Sequence, residues 1–547
     1  MVRIMNDITD KPDWENKVFN SDITEKWKAE LRANTEDDIT EKMIEWIIAE
    51  LQYRSKHFKE TGMVPAYDGG VIKSDSAIPE SLKESLRAAV SRLENVPDHQ
   101  KDYHPHSNNQ VLDLVHPSLF PLVYGTTKII KDGILGIDDG ISKSGTGEVL
   151  PIPSDGETVI KGTNLFSYPG NTMGRPYSKK FQWLPCDVAF KSTSDSTEAD
   201  SIPEKSNQCT ITSYINNLHP REHKELYGIL EQVISRAIPL WNMTLTPHKL
   251  YTNDYERIPY DEVKYDIDPD SLPEEDQPQQ LPGEEDEAFW DRFDEWRSGI
   301  WRDGIILPEP GIFAPPEEVD LEEDIQEPLR RRKTLDLQRD YGKTGLQVII
   351  KLANIHLTPE NPEYGGGSWH VEGQLNEHIC ATALYYYDSA NITESRLAFR
   401  QLEQVFGCHQ DGTSIQYPGS VACKEGRLLT FSNIFQHRVE PFRLDDPTKP
   451  GHRKILALFL VDPNIRIIST ANVPSQRADW GELVPWEGAL GKLPRELYDE
   501  VVSYMSNPSM SMEDAKELRL ELMEERKAIV ADQDDAFASS TFSLCEH

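Results

Sequence analysis

Apolar residues in the first hundred positions recur at the three- and four-residue spacing of an amphipathic helix. The pattern is clearest over Ile39–Arg54 and again over Leu82–Leu93, where the apolar side chains fall on one helical face. We therefore expect residues 1–100 to form an N-terminal helical region. Further helices are predicted at His223–Trp241, Leu493–Met505 and Met512–Ala531.

From about residue 344 the pattern changes to short apolar runs rich in β-branched residues. Such runs, separated by turn residues, are typical of buried strands. The predicted strands are Leu346–His356, Ile379–Tyr387, Ser395–Arg400, Leu428–Ser432 and Arg453–Val461. Several short strands with turns between them indicate a β-sandwich or a jelly-roll barrel. We predict an α+β fold with a double-stranded β-helix (jelly-roll) core over residues 341–480 and helical regions before and after it.

The segments around this core differ in composition. Residues 101–261 are predicted to form an α/β part that packs on the core. Residues 262–340 are rich in Asp, Glu and Pro, which is typical of a solvated linker or surface insertion. Residues 481–547 are expected to hold C-terminal helices and a tail. With the helical residues 1–100 and the core, the chain divides into five predicted regions.

The charge of the chain restricts its partners. The formal net charge is −36 over 547 residues, which argues against nucleic acid or an anionic membrane surface, since both require basic surface. No apolar stretch approaches the length of a membrane span, and the N-terminus lacks the apolar run of a secretion signal. The six cysteines form no Cys-x-x-Cys pair. We expect a cytoplasmic protein, with the basic run Arg330–Lys333 leaving a nuclear location open.

One glycine-rich stretch, Gly365–Gly373, carries the clearest chemical signal. His370 and Glu372 lie two residues apart in it, so that in an extended chain their side chains point to the same side. Two His and one carboxylate on one face of Fe(II) leave open positions for oxygen and a chelating co-substrate. The best later histidine is His437. We predict that His370, Glu372 and His437 bind Fe(II) and form the catalytic centre.

A cation downstream of this centre is predicted to bind 2-oxoglutarate. Arg453 begins a strand whose alternate residues are apolar, and a charge that points into an apolar barrel requires a partner. The distal carboxylate of 2-oxoglutarate would supply it, in the bidentate geometry that Arg suits best. Lys454 points to the other face and is the competing candidate.

Glu377 offers an alternative metal ligand. His370, Glu372 and Glu377 resemble a cupin-type spacing, which would bind a metal without 2-oxoglutarate. We favour a role for Asn376, Glu377 and His378 in supporting the ligands or binding substrate. Further candidates for substrate binding lie on the following strands, at Tyr385 and Arg396.

A patch of histidines lies between residues 98 and 127. Imidazoles bind zinc, copper and iron, but this patch has no regular spacing and is embedded in polar loop residues. We therefore do not expect it to be a metal site. Its members are His99, His104, His106 and His116.

Two sets of motifs resemble known families. Residues 437–455 resemble the His-x-Val-x-Pro and Gly-x-Arg-x-Ser pattern that closes the barrel of 2-oxoglutarate/Fe(II) oxygenases. The runs Ser368–His378 and Ser213–Pro220 are similar to those of DUF4246, a large and mainly fungal family. This resemblance implies the oxygenase fold. Glu372 stands where Asp is commoner in the oxygenases, and Ile455 stands where Ser often assists the co-substrate carboxylate.

The predicted function is that of an Fe(II)/2-oxoglutarate-dependent dioxygenase. Such an enzyme hydroxylates or otherwise oxidises its substrate and releases succinate and CO2. We expect a small-molecule or amino-acid-type substrate. Two alternatives stay open: a catalytically inactive jelly roll that serves as a binding or scaffold protein, and a cupin-like metalloenzyme that does not use 2-oxoglutarate. The sequence carries no indication of the oligomeric state.

Overall fold

The computed structural model describes most of the chain, in two compact units. The described residues are 1–34, 39–158, 177–191, 208–250, 257–258, 264–315, 334–402, 413–480, 494, 497 and 510–539. The smaller unit comprises residues 3–60 and 253–328, and the larger comprises residues 61–252 and 329–547. The five regions predicted from composition stay a prediction, because compact units and compositional regions are different divisions of a chain.

Helices form at the predicted positions that the structure describes, and also at positions where none was predicted, such as Asp286–Asp303 within the predicted linker or insertion. They are α1 (Val2–Thr9), α2 (Trp14–Lys17), α3 (Ser21–Ala33), α4 (Glu41–Thr61), α5 (Glu80–Glu94), α6 (Asp139–Ser142), α7 (Lys224–Leu250), α8 (Asp286–Asp303), α9 (Leu337–Tyr341) and α10 (Met512–Ser539). Four of the five predicted helices correspond to α4, α5, α7 and α10. The fifth, Leu493–Met505, lies outside the described residues except at positions 494 and 497. None of the described helices has both the length and the apolar character needed to cross a membrane.

The strands concentrate in the larger unit. The first twelve are β1 (Val64–Tyr67), β2 (Val71–Ser74), β3 (Asp102–Tyr103), β4 (Val111–Val115), β5 (Leu122–Val123), β6 (Lys128–Ile129), β7 (Glu148–Val149), β8 (Phe181–Gln182), β9 (Cys186–Phe190), β10 (Cys209–Ile211), β11 (Lys264–Tyr265) and β12 (Ile305–Ile306). The others are β13 (Leu346–Leu357), β14 (Glu363–Tyr364), β15 (Ile379–Ala390), β16 (Arg396–Leu402), β17 (Ile415–Ala422), β18 (Leu428–Ser432), β19 (Gln436–Val439), β20 (Phe442–Arg443) and β21 (Gly451–Val461).

A ten-stranded antiparallel sheet organises the larger unit. Its order is β1-β2-β18-β15-β21-β13-β4-β3, and β9 pairs with both β13 and β10. The pairing of β13 with β21 is long and regular, from Val348 opposite Leu460 to Leu357 opposite Gly451. A three-stranded sheet has the order β17-β16-β19, and β14 pairs with β20. The α+β class is confirmed, with helices around a large antiparallel sheet.

The large sheet is apolar on both faces. Side chains alternate along a strand, so Val348 and Leu352 of β13 pack in the cluster that contains the apolar sides of α5 and α7. Ile349 points the other way and joins a second cluster with Phe459 of β21 and Phe399 of the three-stranded sheet. We call this second side the inner face. Burial of each such large side chain contributes about 1.5–3 kcal/mol, and a strand buried on both faces shows an unbroken apolar run in the sequence.

A short hairpin, β1–β2, lies within the region predicted to be helical, so that prediction was wrong at residues 64–74. β2 pairs with β18 and extends the large sheet. Gly70 has a φ of +98°, and a Cβ at this position would lie 2.2 Å from the carbonyl oxygen of Thr244 in α7. Four-residue strands are too short for their alternation to be recognised, and their pairing is decided by a distant part of the chain.

Candidate metal centre

His370 and His437 lie opposite each other where two chain segments pair at one point. The N–H of His370 donates to the carbonyl oxygen of His437 at 3.1 Å, and the reverse hydrogen bond is 2.9 Å long. The N–H of Gly367 continues this pairing to the carbonyl oxygen of Val439 at 2.9 Å. Gly366 has a φ of +87°, and a Cβ there would lie 2.8 Å from the same oxygen. The glycine run therefore allows the close approach that places the two histidines together.

The three predicted ligands converge on one point. Glu372 Oε1 lies 3.3 Å from His437 Nε2 and 3.9 Å from His370 Nε2. One ligand atom from each residue lies within 4.8 Å of the others. Bonds of about 2.1 Å to a divalent metal would place neighbouring ligand atoms about 3 Å apart. The spacing and the donor set therefore suit a single ion held by two imidazoles and a carboxylate.

The hydrogen bonds of the first histidine leave its lone pair directed at this point. His370 Nδ1 donates to the carbonyl oxygen of Ser368 at 2.9 Å. Because Nδ1 carries the proton, Nε2 is the free ligand atom. The His437 ring packs against Phe431 with 4.7 Å between ring centroids, and its Nδ1 is buried with no hydrogen-bond partner in the described part of the chain.

The protonation states also favour a cation. Burial by itself would raise the pKa of the Glu372 carboxyl, but the hydrogen bond with His437 and the charges of the two histidines outweigh it and lower that pKa to about 2. Burial and the neighbouring His437 lower the pKa of His370. An ionised carboxylate beside a neutral imidazole at neutral pH is the form that binds a divalent metal.

Asn433 holds the backbone of Glu372 and was not identified from the sequence. Its Oδ1 accepts the N–H of Glu372 at 2.8 Å, and its Nδ2 donates to the carbonyl oxygens of Glu372 at 2.9 Å and Ile379 at 3.0 Å. Asn side chains commonly bond to backbone at strand ends. The position of Asn433 directly after the predicted strand Leu428–Ser432 was the available signal.

Arg453 is buried on the inner side of the large sheet without a carboxylate. It is 1% exposed, its Nη1 donates to Ser395 Oγ, and its Nε has no hydrogen-bond partner among the residues that the structure describes. The rings of Phe442 and Tyr386 lie 4.9 and 5.7 Å from the guanidinium carbon. In the described part of the chain no carboxylate forms an ion pair with it. The hydroxyl beside this cation comes from Ser395, whereas Ile455 occupies the position at which the oxygenase pattern has Ser.

The competing cation and the competing carboxylate are both engaged elsewhere. Lys454 Nζ lies 3.1 Å from carboxylate oxygens of Glu94 and of Asp388. Glu377 is 0% exposed; its oxygens accept from two backbone N–H groups at 2.6 and 2.7 Å and from Arg526 Nη2 at 2.5 Å. The carboxylate that faces the two histidines is therefore that of Glu372 and not that of Glu377.

The remaining residues predicted to bind substrate are not brought to this centre. Asn376 bonds to backbone groups through both its amide atoms, and His378 Nε2 lies 3.0 Å from a tyrosine hydroxyl. Tyr385 packs in the cluster on the helix side of the large sheet. Arg396 pairs with a neighbouring glutamate and bonds to a serine on the adjacent strand. Their roles in substrate binding stay predictions.

Comparison with models of protein families identifies the family of this chain. Residues 41–483 match the model described as "Protein of unknown function (DUF4246)", and residues 1–30 match the N-terminal domain model of the same family. The chain belongs to the DUF4246 family. The predicted family membership is thus confirmed. A search among curated proteins finds no match.

Solved structures similar to this DUF4246 member include several oxygenases. The Fe(II)/(alpha)ketoglutarate-dependent dioxygenase TqaL is 18% identical over 26% of this chain and 54% of its own, with a TM-score of 0.17. IDO from Bacillus thuringiensis is 12% identical over 25% and 52%, with a TM-score of 0.17, and a Pseudomonas putida prolyl-4-hydroxylase is 12% identical over 26% and 66%, with a TM-score of 0.15. The chain spans about half the length of the first two.

The histidine patch of this DUF4246 member contains a second group with metal-ligand chemistry. Ligand atoms of His104, Asp113 and His116 lie within 4.8 Å of one another. His104 Nδ1 donates to Asp113 Oδ2 at 2.8 Å, and Arg519 Nη1 of α10 lies 3.5 Å from the same oxygen. Arg519 also pairs with Asp102 at 2.6 Å. The buried guanidinium already supplies the countercharge of Asp113, so the group is an ion-pair network between α10 and the edge of the sheet.

Proposed function

We propose that this protein is an Fe(II)- and 2-oxoglutarate-dependent oxygenase. The observation that carries the proposal is the joint presence of two features. One is a two-histidine, one-carboxylate cluster at strand β19 of the three-stranded sheet. The other is a buried guanidinium on the inner side of the large sheet that pairs with no carboxylate of the described residues. The cluster consists of His370, Glu372 and His437, and the guanidinium belongs to Arg453. A metal alone would explain the ligand cluster. A metal together with a dianion that chelates it would explain both the cluster and the buried guanidinium.

The order of the strands supports a jelly-roll core for this proposal. β13, β21, β15 and β18 are neighbours in the large sheet, while β14 pairs with β20 and β16 pairs with both β17 and β19. If β19 and β20 are one interrupted strand, the chain alternates between two facing sheets as in the two Greek keys of a jelly roll. The metal cluster then lies at the paired ends of strands from the smaller sheet, and Arg453 lies on the larger one.

Each residue of the centre has a task that follows from its contacts. His370, Glu372 and His437 would hold Fe(II), which when bound supplies the chemistry with O2 that the side chains themselves lack. Ser368 keeps the His370 ring in the ligand tautomer. The guanidinium of Arg453, screened from water by neighbouring aromatic rings, would bind the distal carboxylate of 2-oxoglutarate through paired N–H donors.

The test is reconstitution of the purified protein with Fe(II) under anaerobic conditions and measurement of bound iron. Addition of O2 and 2-oxoglutarate is then followed by measurement of the succinate released. We expect His370→Ala, Glu372→Ala and His437→Ala each to abolish both readouts. Arg453→Met should keep iron and lose succinate release. His99→Ala, an exposed histidine, and Lys454→Met are the matched controls and should keep both. Unchanged iron and succinate in the Glu372 and His370 variants would overturn the proposal.

Two other results would each point to a different protein. Stoichiometric metal without a rise in melting temperature on addition of N-oxalylglycine, an inert 2-oxoglutarate analogue, would indicate the cupin-like metalloenzyme. Neither metal nor a thermal response would indicate the inactive binding protein. In both cases the oxygenase proposal is rejected.

A further inference from the structure

Lys351 lies in the middle of the large sheet, on the same face as Arg453. Its strand, β13, pairs with β21 on one side and with β4 on the other. Lys351 is opposite Ala457, and Ile355, four positions along the same strand, is opposite Arg453. Since side chains two and four residues apart share a face, both cations point to the inner side, about 13 Å apart along the strand.

The sheet around Lys351 is open on this inner face. Lys351, Ala353 and Ile455 are only partly buried. Ala353 and Ile455 are paired with strands on both sides, whereas Lys351 is paired with β21 on one side and lies between the β9 and β4 pairings on the other. A residue in a central strand is accessible only if the space above its face is not filled. Ala353 and Ile455 therefore form the floor of an open space on the inner side of the sheet, and Lys351 lies on the same face, two residues before Ala353.

Lys351 lies within electrostatic reach of the candidate metal centre. After burial and the neighbouring histidines, the charge of Lys351 is among the influences on the pKa of Glu372. It also acts on Asp113, whose pKa is lowered by its two histidine neighbours against the effect of burial. The charge of Lys351 thus acts both on the metal cluster and on the ion-pair network at the edge of the sheet.

Lys351 nevertheless forms no hydrogen bond and no ion pair with any described residue. Asp113 Oδ2 is already bonded to His104 at 2.8 Å and approached by Arg519 at 3.5 Å. Glu372 faces His437 at 3.3 Å. Most partly buried lysines reach solvent or a carboxylate with their ammonium group, whereas this one lies on the inner face of a sheet and pairs with no described carboxylate. This holds even for Asp113, whose Oδ1 is buried without a hydrogen-bond partner among the described residues.

We propose that Lys351 binds an oxyanion of the substrate, at a place separate from the co-substrate anchor at Arg453. The inference rests on the proposed function and deepens it, because it assigns the substrate to molecules with a carboxylate or phosphate group. A lysine is a compact charge with three donors that suits an oxyanion of either kind. A substrate held in this way would lie over Ala353 and Ile455, beside the metal cluster.

The experiment compares probes that differ in charge. Protein loaded with Mn(II) and saturated with N-oxalylglycine is titrated with hexanoate or hexanamide, with phenylacetate or phenylacetamide, and with phenyl phosphate or phenol, and the melting temperature is recorded. The carboxylate and phosphate arms separate the two sources of the oxyanion. We expect the anion of at least one pair to bind tenfold or more tightly than its neutral partner.

Variants locate the binding. Lys351→Met should remove the preference for the anion, Lys351→Arg should retain it, and Lys454→Met, a neighbouring-strand lysine with two carboxylate partners, should leave it unchanged. The N-oxalylglycine response should survive in Lys351→Met and disappear in Arg453→Met. Lys351→Gln serves in place of the Met variant if the latter does not fold.

Three results would overturn the inference. One is an equal preference for the anion in wild type and Lys351→Met. Another is the absence of saturable binding by every anion. In the third, Lys351→Met loses the N-oxalylglycine response while Arg453→Met keeps it. Lys351 would then be the residue that binds the co-substrate. If wild type shows no response to N-oxalylglycine at all, the proposed function fails, and the same charge pairs measured on the metal-free protein still test Lys351.

Discussion

The role of a single carboxylate in this protein depends on which donors reach it. Glu372 and Glu377 lie in one short segment and have the same chemistry, yet the first faces two imidazoles and the second accepts three N–H groups. Arg526, which pairs with Glu377, also stacks over Trp183 with its guanidinium carbon 3.7 Å from the ring centroid. Glu377 therefore holds α10 in place, and Glu372 is the carboxylate of the candidate metal centre.

The two carboxylates should respond oppositely to loss of charge. We expect Glu372→Gln to lose bound metal with little change in the free energy of unfolding. Glu377→Gln should keep the metal and lower that free energy by about 3–5 kcal/mol, because it leaves Arg526 unpaired and largely buried. Metal content by mass spectrometry and chemical denaturation are the measurements. Loss of metal in Glu377→Gln with its retention in Glu372→Gln would contradict the assignment.

Asn433 should act as a positioning residue. Asn433→Ala removes the three hydrogen bonds that hold the backbone around Glu372, and we expect metal affinity to fall by about 10–100-fold. The absorption spectrum of the Co(II)-substituted protein should change as well, which a general loss of stability would not produce. Asn464→Ala, at a turn where the side chain bonds to Asp462, is the control and should alter neither. An unchanged spectrum in Asn433→Ala would refute the role.

Among the elements, most of the predicted helices and strands are found in the structure, whereas helix α8 and the strands of two to four residues were not predicted. The strand predicted at Leu428–Ser432 has those bounds in the structure, and the one predicted at Ile379–Tyr387 extends to Ala390. The hairpin β1–β2 and the two-residue strand β14 were not predicted. Propensity and periodicity accumulate over the length of an element, whereas two to four residues form a strand only because a distant partner offers hydrogen bonds.

Helix α4 contains a buried acid whose pairing makes the smaller unit sensitive to pH. Glu50 is 0% exposed, lies 2.7 Å from Arg54 one turn away, and pairs with Arg257 at 2.8 Å. Burial would raise the pKa of Glu50, but the two arginines and the indole N–H of Trp46 outweigh it and lower the pKa below its ordinary value of 4.5. Because the pKa of Glu50 is lowered in the folded state, the stabilisation is complete above the ordinary value of 4.5. It is lost as the pH falls from there through the folded-state pKa.

We therefore expect the difference in unfolding free energy between wild type and Glu50→Gln to be largest near neutral pH and to shrink below pH 4.5. Urea denaturation at a series of pH values between neutral and acid measures it. Glu45→Gln, an exposed acid in the same helix, should give a difference that does not depend on pH. A Glu50→Gln difference that stays constant across this range would contradict the linkage.

At the scale of the whole molecule, the two units are built from segments that are far apart in the sequence. Residues 253–328 belong with residues 3–60, and the C-terminal helix α10 belongs with the sheet of the larger unit. Leu522 of α10 is 1% exposed within the apolar cluster of the inner face. Contacts between segments separated by hundreds of residues complete this core, and no local pattern predicts them.

Leu522 should accordingly be the position at which α10 stabilises the larger unit. We expect Leu522→Ala to lower the free energy of unfolding by about 2–5 kcal/mol, since it removes a fully buried side chain from a packed core. Leu520→Ala, on the same helix at 45% exposure, should change it by less than about 0.5 kcal/mol. Chemical denaturation followed by tryptophan fluorescence compares them. Equal effects of the two variants would show that α10 does not pack as described.

The sequence by itself determined the fold class, the family and the convergence of His370 with Glu372, because periodicity and side-chain alternation are local properties. It also singled out His437 and Arg453 as partners on distant strands. Only the tertiary structure decided that Glu377 is bound by α10, that Asn433 supports Glu372, and that Lys351 pairs with no carboxylate of the described residues. These features depend on which donors and acceptors remain free after folding, and that balance is set by contacts between segments far apart in the chain.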